Sequence, residues 1–590
     1  MPAETPGTPA LRTSGPRTSG PGTPDLVVTG ARIWTGTASG HPDAGPLADG
    51  VAVRGDRVVA IGPADDVRAL AGPRTRVVHA PGRVVVPGFT DAHVHTPFAG
   101  RNLLNVWLND TRGLPGYLDV IAEFARSHPD LPWILGGGWA MEYFPGGTPR
   151  AEELDRIVPD RPVFLFNRDV HGAWVNSRTL ELAGITRDTP DPADGRIERD
   201  PLTGEPTGTL HEGVAYRIND TLVPLPDVAG WTAALLRGQA HLHALGLTGW
   251  NDAWITPDTL QAYRGLAADG RLTGRVVGSL WWDRHRGLDQ IPDLLAQREA
   301  TSGAAEAGGS GTPGFFPTAV KIMTDGVLEN HTGALLEPYC DGCGGHTDNH
   351  GIAFVERDLL AAAVTELDGL GFQVHLHAIG DRAVRNALDA VAAARAAHGP
   401  NDLRHHIAHL QVVHPDDVPR FAALGVVANC QAYWAQSEPQ MDELPVPFLG
   451  ADRAAQQYPF ASIARAGGRL AMGSDWAVTT ADPLEQIEVA VTRVDPRNRS
   501  TAPFLPGERL GLEQAFSAFT AGSAFVNHDA DGGVLAVGGR ADLVLLSQDV
   551  FAPGFTDPGR AGPGRGTAPL ADVRAELTVA AGRVVHDTLA

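Results

Sequence analysis

Short runs in which apolar and polar residues alternate mark both ends of the chain. Near the start, "PDLVVTGARIWTG" and "GVAVRGDRVVAIGP" change character at almost every residue around Gly and Asp turns. Side chains along a strand alternate faces, so a period of two predicts half-buried antiparallel strands and hairpins. The far end has the same texture in "ADLVLLSQDV" and "RAELTVAAGRVVHD". Residues 25–86 and 531–590 are therefore expected to form one small β-sandwich domain, with Gly/Pro-rich residues 552–569 as a loop within it. Between the ends, apolar runs alternate with Ala/Leu/Arg-rich helical segments such as "RDLLAAAVTELDGLG" and "DRAVRNALDAVAAARAAHG". That order predicts an α/β unit with a parallel sheet. Candidate strands end at "DAHVH", "GLTGWNDAW", "RVVGSLWWD", "AVKIMTDG", "FQVHLHAIGD", "HHIAHLQ", "VVANCQAYW" and "RLAMGSDW", the eight of a TIM barrel. The expected fold is α/β: a distorted TIM (β/α)8 barrel over residues 87–530, carrying the β-sandwich. An insertion at about residues 102–226 holds its own strand-like pieces, "WILGGGWA" and "PVFLFNRD". A second segment, "REATSGAAEAGGSGTPG", reads as a flexible surface loop.

Composition narrows the function classes. The 590 residues exceed one compact core. The formal charge is −22 with no Lys/Arg run, which argues against a nucleic-acid surface. Residues 1–24 lack the apolar core of a secretory signal and read as a disordered Pro/Gly/Thr/Ser tail. No apolar run is long enough to cross a membrane. Three cysteines do not make a disulfide framework, so a cytoplasmic location is expected. The expected partner is a small-molecule substrate, and a homo-oligomer is compatible with the sequence. One count is sharper: Lys and Arg total 47, yet the only lysine is Lys321, at the end of an apolar strand-like run. An Arg keeps its proton at ordinary pH, whereas a buried Lys can lose it and become a nucleophilic amine.

Polar residues gather at the predicted carboxyl ends of the strands: His93 and His95, Lys321, His375 and His377, His409, and Asp475. In a barrel, side chains from several strands converge at that face. His93 and His95 are two apart, so they point the same way and can address one divalent ion. The same H-x-H pattern recurs at His375 and His377, and strand geometry does not separate those two.

The motifs around these residues carry a resemblance. "PGFTDAHVH", "DVHGAWVNSRTLELAGI", "GEPTGTLHEGVAYR", "VKIMTDGVLENHTGALLEPY", "HAIGDRAV", "GSDWAV" and "GRADLVLL" together resemble the amidohydrolase superfamily, in particular its YtcJ-like branch, which includes N-substituted formamide deformylase. The resemblance implies that His93, His95 and Asp475 hold one metal and that His377 and His409 hold a second. It makes Lys321, as an N6-carboxylated lysine, the bridge between them. His377 is preferred to His375 because "HAIGD" follows it. One or two divalent ions, Zn2+ foremost, are the implied cofactors. The implied reaction is hydrolysis of a non-peptide C–N bond, an amide or N-substituted formamide, by a metal-activated water. Asp475 then passes the water's proton to the leaving nitrogen. Here Ala408 precedes His409 where the branch usually has Glu, so that partner is missing or supplied elsewhere, and His405 and His406 are nearby alternatives.

Further candidates come from the insertion and from strand ends. His171 and the tryptophans Trp139, Trp434 and Trp476 are candidate substrate contacts, with Trp281 and Trp282 beside them and Glu212 as a further polar group. Cys340, Cys343, His346 and His350 have the spacing of a compact zinc site, set against a Gly-rich loop with incidental cysteines. Two rivals share the centre or lack it. The same site could open a lactone or ester or deaminate a heterocycle, whereas a non-catalytic scaffold should have lost some ligands.

Overall fold

In the computed structural model, residues 17–18, 22–36, 48–305, 313–345, 347–552 and 569–589 are described. Eight parallel strands follow one another in space as they do in sequence: β1 (Phe89–Val94), β2 (Leu247–Ile255), β3 (Arg275–Trp281), β4 (Gly314–Met323), β5 (Gln373–Ala378), β6 (His406–His409), β7 (Val427–Cys430) and β8 (Leu470–Met472). This is the barrel expected from the eight apolar runs. Closure between β8 and β1 runs through residues just past β8: the Asp475 N–H donates to the His93 carbonyl (2.7 Å) and the His95 N–H to the Trp476 carbonyl (2.8 Å). Gly473 permits this approach, because a Cβ there would stand 2.5 Å from the His93 nitrogen.

Two five-stranded sheets form the β-sandwich, one of them built from both chain ends. In that sheet Val84–Pro87 pairs with Leu543–Leu546, which pairs with Ala575–Ala580. Its two faces explain the unbroken apolar runs. Val85, Leu543, Leu545 and Leu577 pack into the sandwich with Val28, Val51 and Val53. Val84, Val86, Val544 and Leu546 face the other way, into the barrel core. Of the tail, residues 1–16 and 19–21 lie outside the described residues, while Arg17 and Thr18 pair with Ile61 and Ala60. Most of the predicted loop at 552–569 also lies outside them.

The insertion folds as a six-stranded mixed sheet whose strand Pro206–Glu212 lies between Gly195–Arg199 and Gly172–Val175. The second segment differs from the loop expected of it. The helix Ile291–Ala305 runs through its first half, and only residues 306–312 lie outside the described residues. Tertiary contact overrides the small-residue composition there: Arg298 stacks over Phe372 at 3.9 Å and donates to the Leu370 carbonyl.

Candidate metal centre and substrate cavity

The carboxyl ends of the strands open into a cavity of about 380 Å³, lined among others by His93, His95, Lys321, His377, His409 and Asp475. Asp475 is the lining residue on which the histidines converge. Its Oδ1 is 3.0 Å from His95 Nε2 and 3.2 Å from His93 Nε2, and its Oδ2 is 3.8 Å from His409 Nδ1. His93, His409 and Asp475 each offer a donor atom, all within 4.8 Å of one another. The His377 ring stands 4.4 Å from that of His409, with Nε2 3.4 Å from the Gly326 carbonyl. Three of these backbone positions are strained: His409, Leu410 and Asp475 have φ of 78°, 57° and 57°. Such conformations persist in non-glycine residues only where their surroundings over-determine them.

The depth of each side chain follows from strand register. Lys321 lies opposite His375, and Met323 opposite His377. His377 therefore reaches the cavity while His375 sits one layer below it, outside the lining. The buried His375 has another task. Ser279 Oγ donates to Asn251 Oδ1 (2.8 Å), so it accepts from His375 Nδ1–H (3.1 Å). His375 Nε2 is then the acceptor for His93 Nδ1–H (2.9 Å). This chain of donors leaves the lone pair of His93 Nε2 directed at Asp475 and the cavity. Fixing the far nitrogen of a metal-ligating His in this way sets its tautomer.

The donor set fits a divalent ion. His93 Nε2 and His95 Nδ1 are buried without a hydrogen-bond partner. Burial holds His93 down at about 3, with the Lys321 charge adding to it, and burial likewise keeps His377 and His409 neutral. Neutral imidazole is the form that ligates. Burial raises the Asp475 carboxyl, but the His93, His95 and His409 rings outweigh it and hold the group well below the usual range. Burial lowers Lys321 to about 7, against the opposing pull of Asp475. At neutral pH a large share of that amine is unprotonated, the form that a carbamate requires.

His405 and His406 are set apart from the cavity. His405 bonds Asp368 (2.8 Å) and the Val374 N–H, and His406 lies at the amino end of β6 against His375. His171 enters from the insertion and lines the cavity, its ring 5.6 Å from that of His377. Its Nδ1 bonds Glu212 Oε2 (2.9 Å), and Glu212 also accepts from Thr332 (2.6 Å). Burial would lower His171, but Glu212 and Asp169 outweigh it and raise it to about 9. Trp281, Trp282 and Trp434 line the cavity, joined by Trp254, whose ring meets that of Trp281 at 5.5 Å.

Two of the expected aromatic contacts lie elsewhere. Trp139 packs against Phe144 and Trp174 in the insertion and donates its indole N–H to Leu165. Trp476 stacks on His241 (4.6 Å), outside the lining. The Trp139 indole therefore has its partner in the interior, and Trp476 lies against His241. Sequence reasoning passed over Asp169 and Trp254. A usable signal for Asp169 is the pattern Asp-x-His, in which the carboxylate accepts the N–H of the His: Asp91 with His93 and Asp169 with His171, both at 2.9 Å. In the Gly-rich loop, His346 lies outside the described residues, Cys343 is exposed, and His350 bonds the Leu335 carbonyl. Among the described residues the converging metal-donor group is the one at Asp475.

An eight-stranded barrel with His and Asp donors gathered at its carboxyl face defines a metal-dependent hydrolase of the amidohydrolase type. The chain belongs to the amidohydrolase family, whose model matches residues 76–586. It is 30% identical to the putative amidohydrolase YtcJ of Bacillus subtilis, over 81% of this chain and 87% of that protein. It is 27% identical to the N-substituted formamide deformylase of Arthrobacter pascens, over 89% and 94%. An uncharacterized metal-dependent hydrolase from Pyrococcus furiosus superposes with a TM-score of 0.65 at 25% identity, covering 89% of this chain and 99% of that one. The resemblance to the YtcJ-like branch is thereby borne out.

Proposed function

We propose that this protein hydrolyses a non-peptide C–N bond, an amide and foremost an N-substituted formamide. The observation that carries this reading is the set of buried donors around Asp475, joined by the chain's single lysine, on the floor of a cavity walled by tryptophans. The likeness to the Arthrobacter deformylase over nearly the whole chain supports the choice of bond. A divalent ion held by His93, His95 and Asp475, zinc foremost, would acidify a water and polarise the carbonyl. A second ion would be held by His377 and His409, with a carboxylated Lys321 shared by the two.

The chain's own groups divide the remaining work. Asp475 takes the proton of the attacking water and returns it to the leaving nitrogen. His171, held at Nδ1 by Glu212, keeps Nε2 free of that bond and donates to the substrate oxygen as charge builds there. The tryptophan wall excludes water and seats an apolar or aromatic N-substituent. The substrate is a small molecule, and a cytoplasmic location is part of the same reading.

Metal analysis of the purified protein, with formamide hydrolysis measured before and after chelation, tests the reading. Divalent metal is expected, with activity lost on chelation and restored by zinc. A metal-free protein with undiminished activity refutes it. A panel of N-benzylformamide, aryl amides, lactones and aminopurines assigns the bond. Lys321→Arg is expected to lower the bound-metal stoichiometry, and an unchanged stoichiometry would remove the lysine from the centre.

A further inference from the structure

Glu329 lines the same cavity from the segment after β4. Its carboxylate is bonded to its own backbone N–H, and no other described residue donates to it. Its neighbours are already committed. Asp169 accepts the His171 N–H (2.9 Å), and Glu212 holds the His171 ring (2.9 Å). Arg168 lies between Glu142 (3.7 Å) and Glu438 (3.5 Å) and donates to Gln440 (2.5 Å). The two cationic side chains at this end are thus held by Glu212, Glu142 and Glu438, and none of their bonds reaches Glu329. Glu329 is half-buried at the cavity wall, and its partial burial raises the carboxyl to about 7, with Asp169 pushing the same way and His171 and Arg168 only partly offsetting it. A carboxylate in such a place lacks a counter-cation.

The surroundings favour an organic cation. Trp434 and Tyr458 line the cavity, and Trp434 already faces one cation, the Arg168 guanidinium at 5.3 Å. Among the described residues the converging metal-donor group lies at Asp475, not at Glu329. An anionic substituent would be repelled, and a neutral N–H would leave the charge uncompensated.

We propose that Glu329 is the anionic end of a substrate subsite for a protonated amine, so that the compound cleaved at the metal centre carries a second, cationic nitrogen. This rests on the hydrolase reading for the word substrate, but the subsite can be tested without turnover. Binding of 2-phenylethylammonium and of its neutral counterpart 2-phenylethanol to the full chain is measured by calorimetry, for wild type, Glu329→Gln and Glu329→Asp. Wild type is expected to favour the ammonium by about tenfold or more. Glu329→Gln should lose that preference with phenylethanol binding unchanged, and Glu329→Asp should keep part of it. No ammonium preference in wild type, or a preference that survives Glu329→Gln in a variant with a native melting curve, overturns the proposal. Comparison of N-formyl diamines with N-formyl alkylamines forms the second arm. There Glu329→Gln should raise KM for the cationic series alone and spare kcat. Ammonium binding through Glu329 without cleavage of any formamide would keep the subsite and reject the reaction.

Discussion

Replacing Ser279 by alanine tests whether the buried chain from Asn251 to His93 tunes the metal centre or merely fills the barrel. S279A removes the 3.1 Å bond from His375 Nδ1 and the 2.8 Å bond to Asn251 Oδ1, and leaves the 2.9 Å bond between His375 and His93 in place. Each stranded buried group costs about 1–3 kcal/mol of stability. The effect on metal has a different scale. If the only consequence were that His93 could carry its proton on either nitrogen, affinity would fall about twofold, the statistical cost of two equal tautomers. Loss of an oriented outer partner costs about 10–100-fold, or about 1.4–2.7 kcal/mol. Zinc affinity measured by competition with a chelating dye, on protein well below its unfolding temperature, separates the two. We expect the larger loss. A zinc affinity within twofold of wild type, in a protein whose melting temperature has dropped, would show that the chain is structural and does not orient His93.

Three further outcomes follow from packing and burial. Gly473→Ala places a Cβ 2.5 Å from the His93 nitrogen and 2.6 Å from its Cβ, so β8 or β1 must shift; we expect a cost of about 1–3 kcal/mol in urea unfolding. The displacement of His93 from Asp475 should also weaken zinc binding, and unchanged affinity would mean that the barrel absorbs the methyl elsewhere. Arg540 is 3% exposed and pairs with Asp529 and Asp542 at 2.6 and 2.5 Å, so Arg540→Ala strands buried carboxylates and should cost about 3–5 kcal/mol; an unchanged melting temperature would contradict this. His243 bonds the Leu247 carbonyl (2.8 Å) and Thr273 Oγ1 (2.7 Å), and burial lowers it to about 4. Above pH 6.5 the ring is neutral folded or unfolded. Between pH 6.5 and 4 only the unfolded chain takes the proton, so stability falls with pH by up to about 3 kcal/mol. His243→Gln should flatten that slope in denaturant midpoints at pH 7 and 4.5, and an identical acid loss in the variant would exclude His243 as its source.

The eight barrel strands were legible because most of their residues are buried on both faces, which writes short, largely apolar segments with polar residues at the open face. The positions around Asp475 were legible for the same reason. Depth was not. His375 and His377 share a face of β5, and only the register of β5 against β4 sets one in the cavity and the other beneath it. The order of strands in the insertion was equally hidden, because it depends on pairings between distant segments, such as Gly172–Val175 with Pro206–Glu212. Trp139 and Trp476 show the limit of reading tryptophans near strand ends: position fixes the end of the barrel, but not the direction in which an indole turns. Glu329 left no signal at all, since an unpaired carboxylate is a property of its neighbours' commitments.

Ala408 stands where the resemblance led to the expectation of a Glu, and two side-chain amides secure the neighbouring His409. Gln431, from the segment after β7, accepts the His409 N–H through Oε1 (2.6 Å) and donates to Asn429 Oδ1 (3.0 Å). Asn429 in turn donates to the Ala92 carbonyl (2.8 Å), one residue before His93. Two side-chain amides therefore tie the strained main chain of His409 to the strand that carries the other histidines. On the far side, main-chain bonds from Asp475 to His93 and from His95 to Trp476 do the same for β8. Neither His409 nor Asp475 would hold a positive φ alone, at a cost of about 1–3 kcal/mol each. Because both are clamped to β1, their donor atoms are set before any ligand arrives. A pre-set cluster of neutral imidazoles around one carboxylate selects for a divalent ion. His409 is therefore fixed by amides that add no charge to the centre.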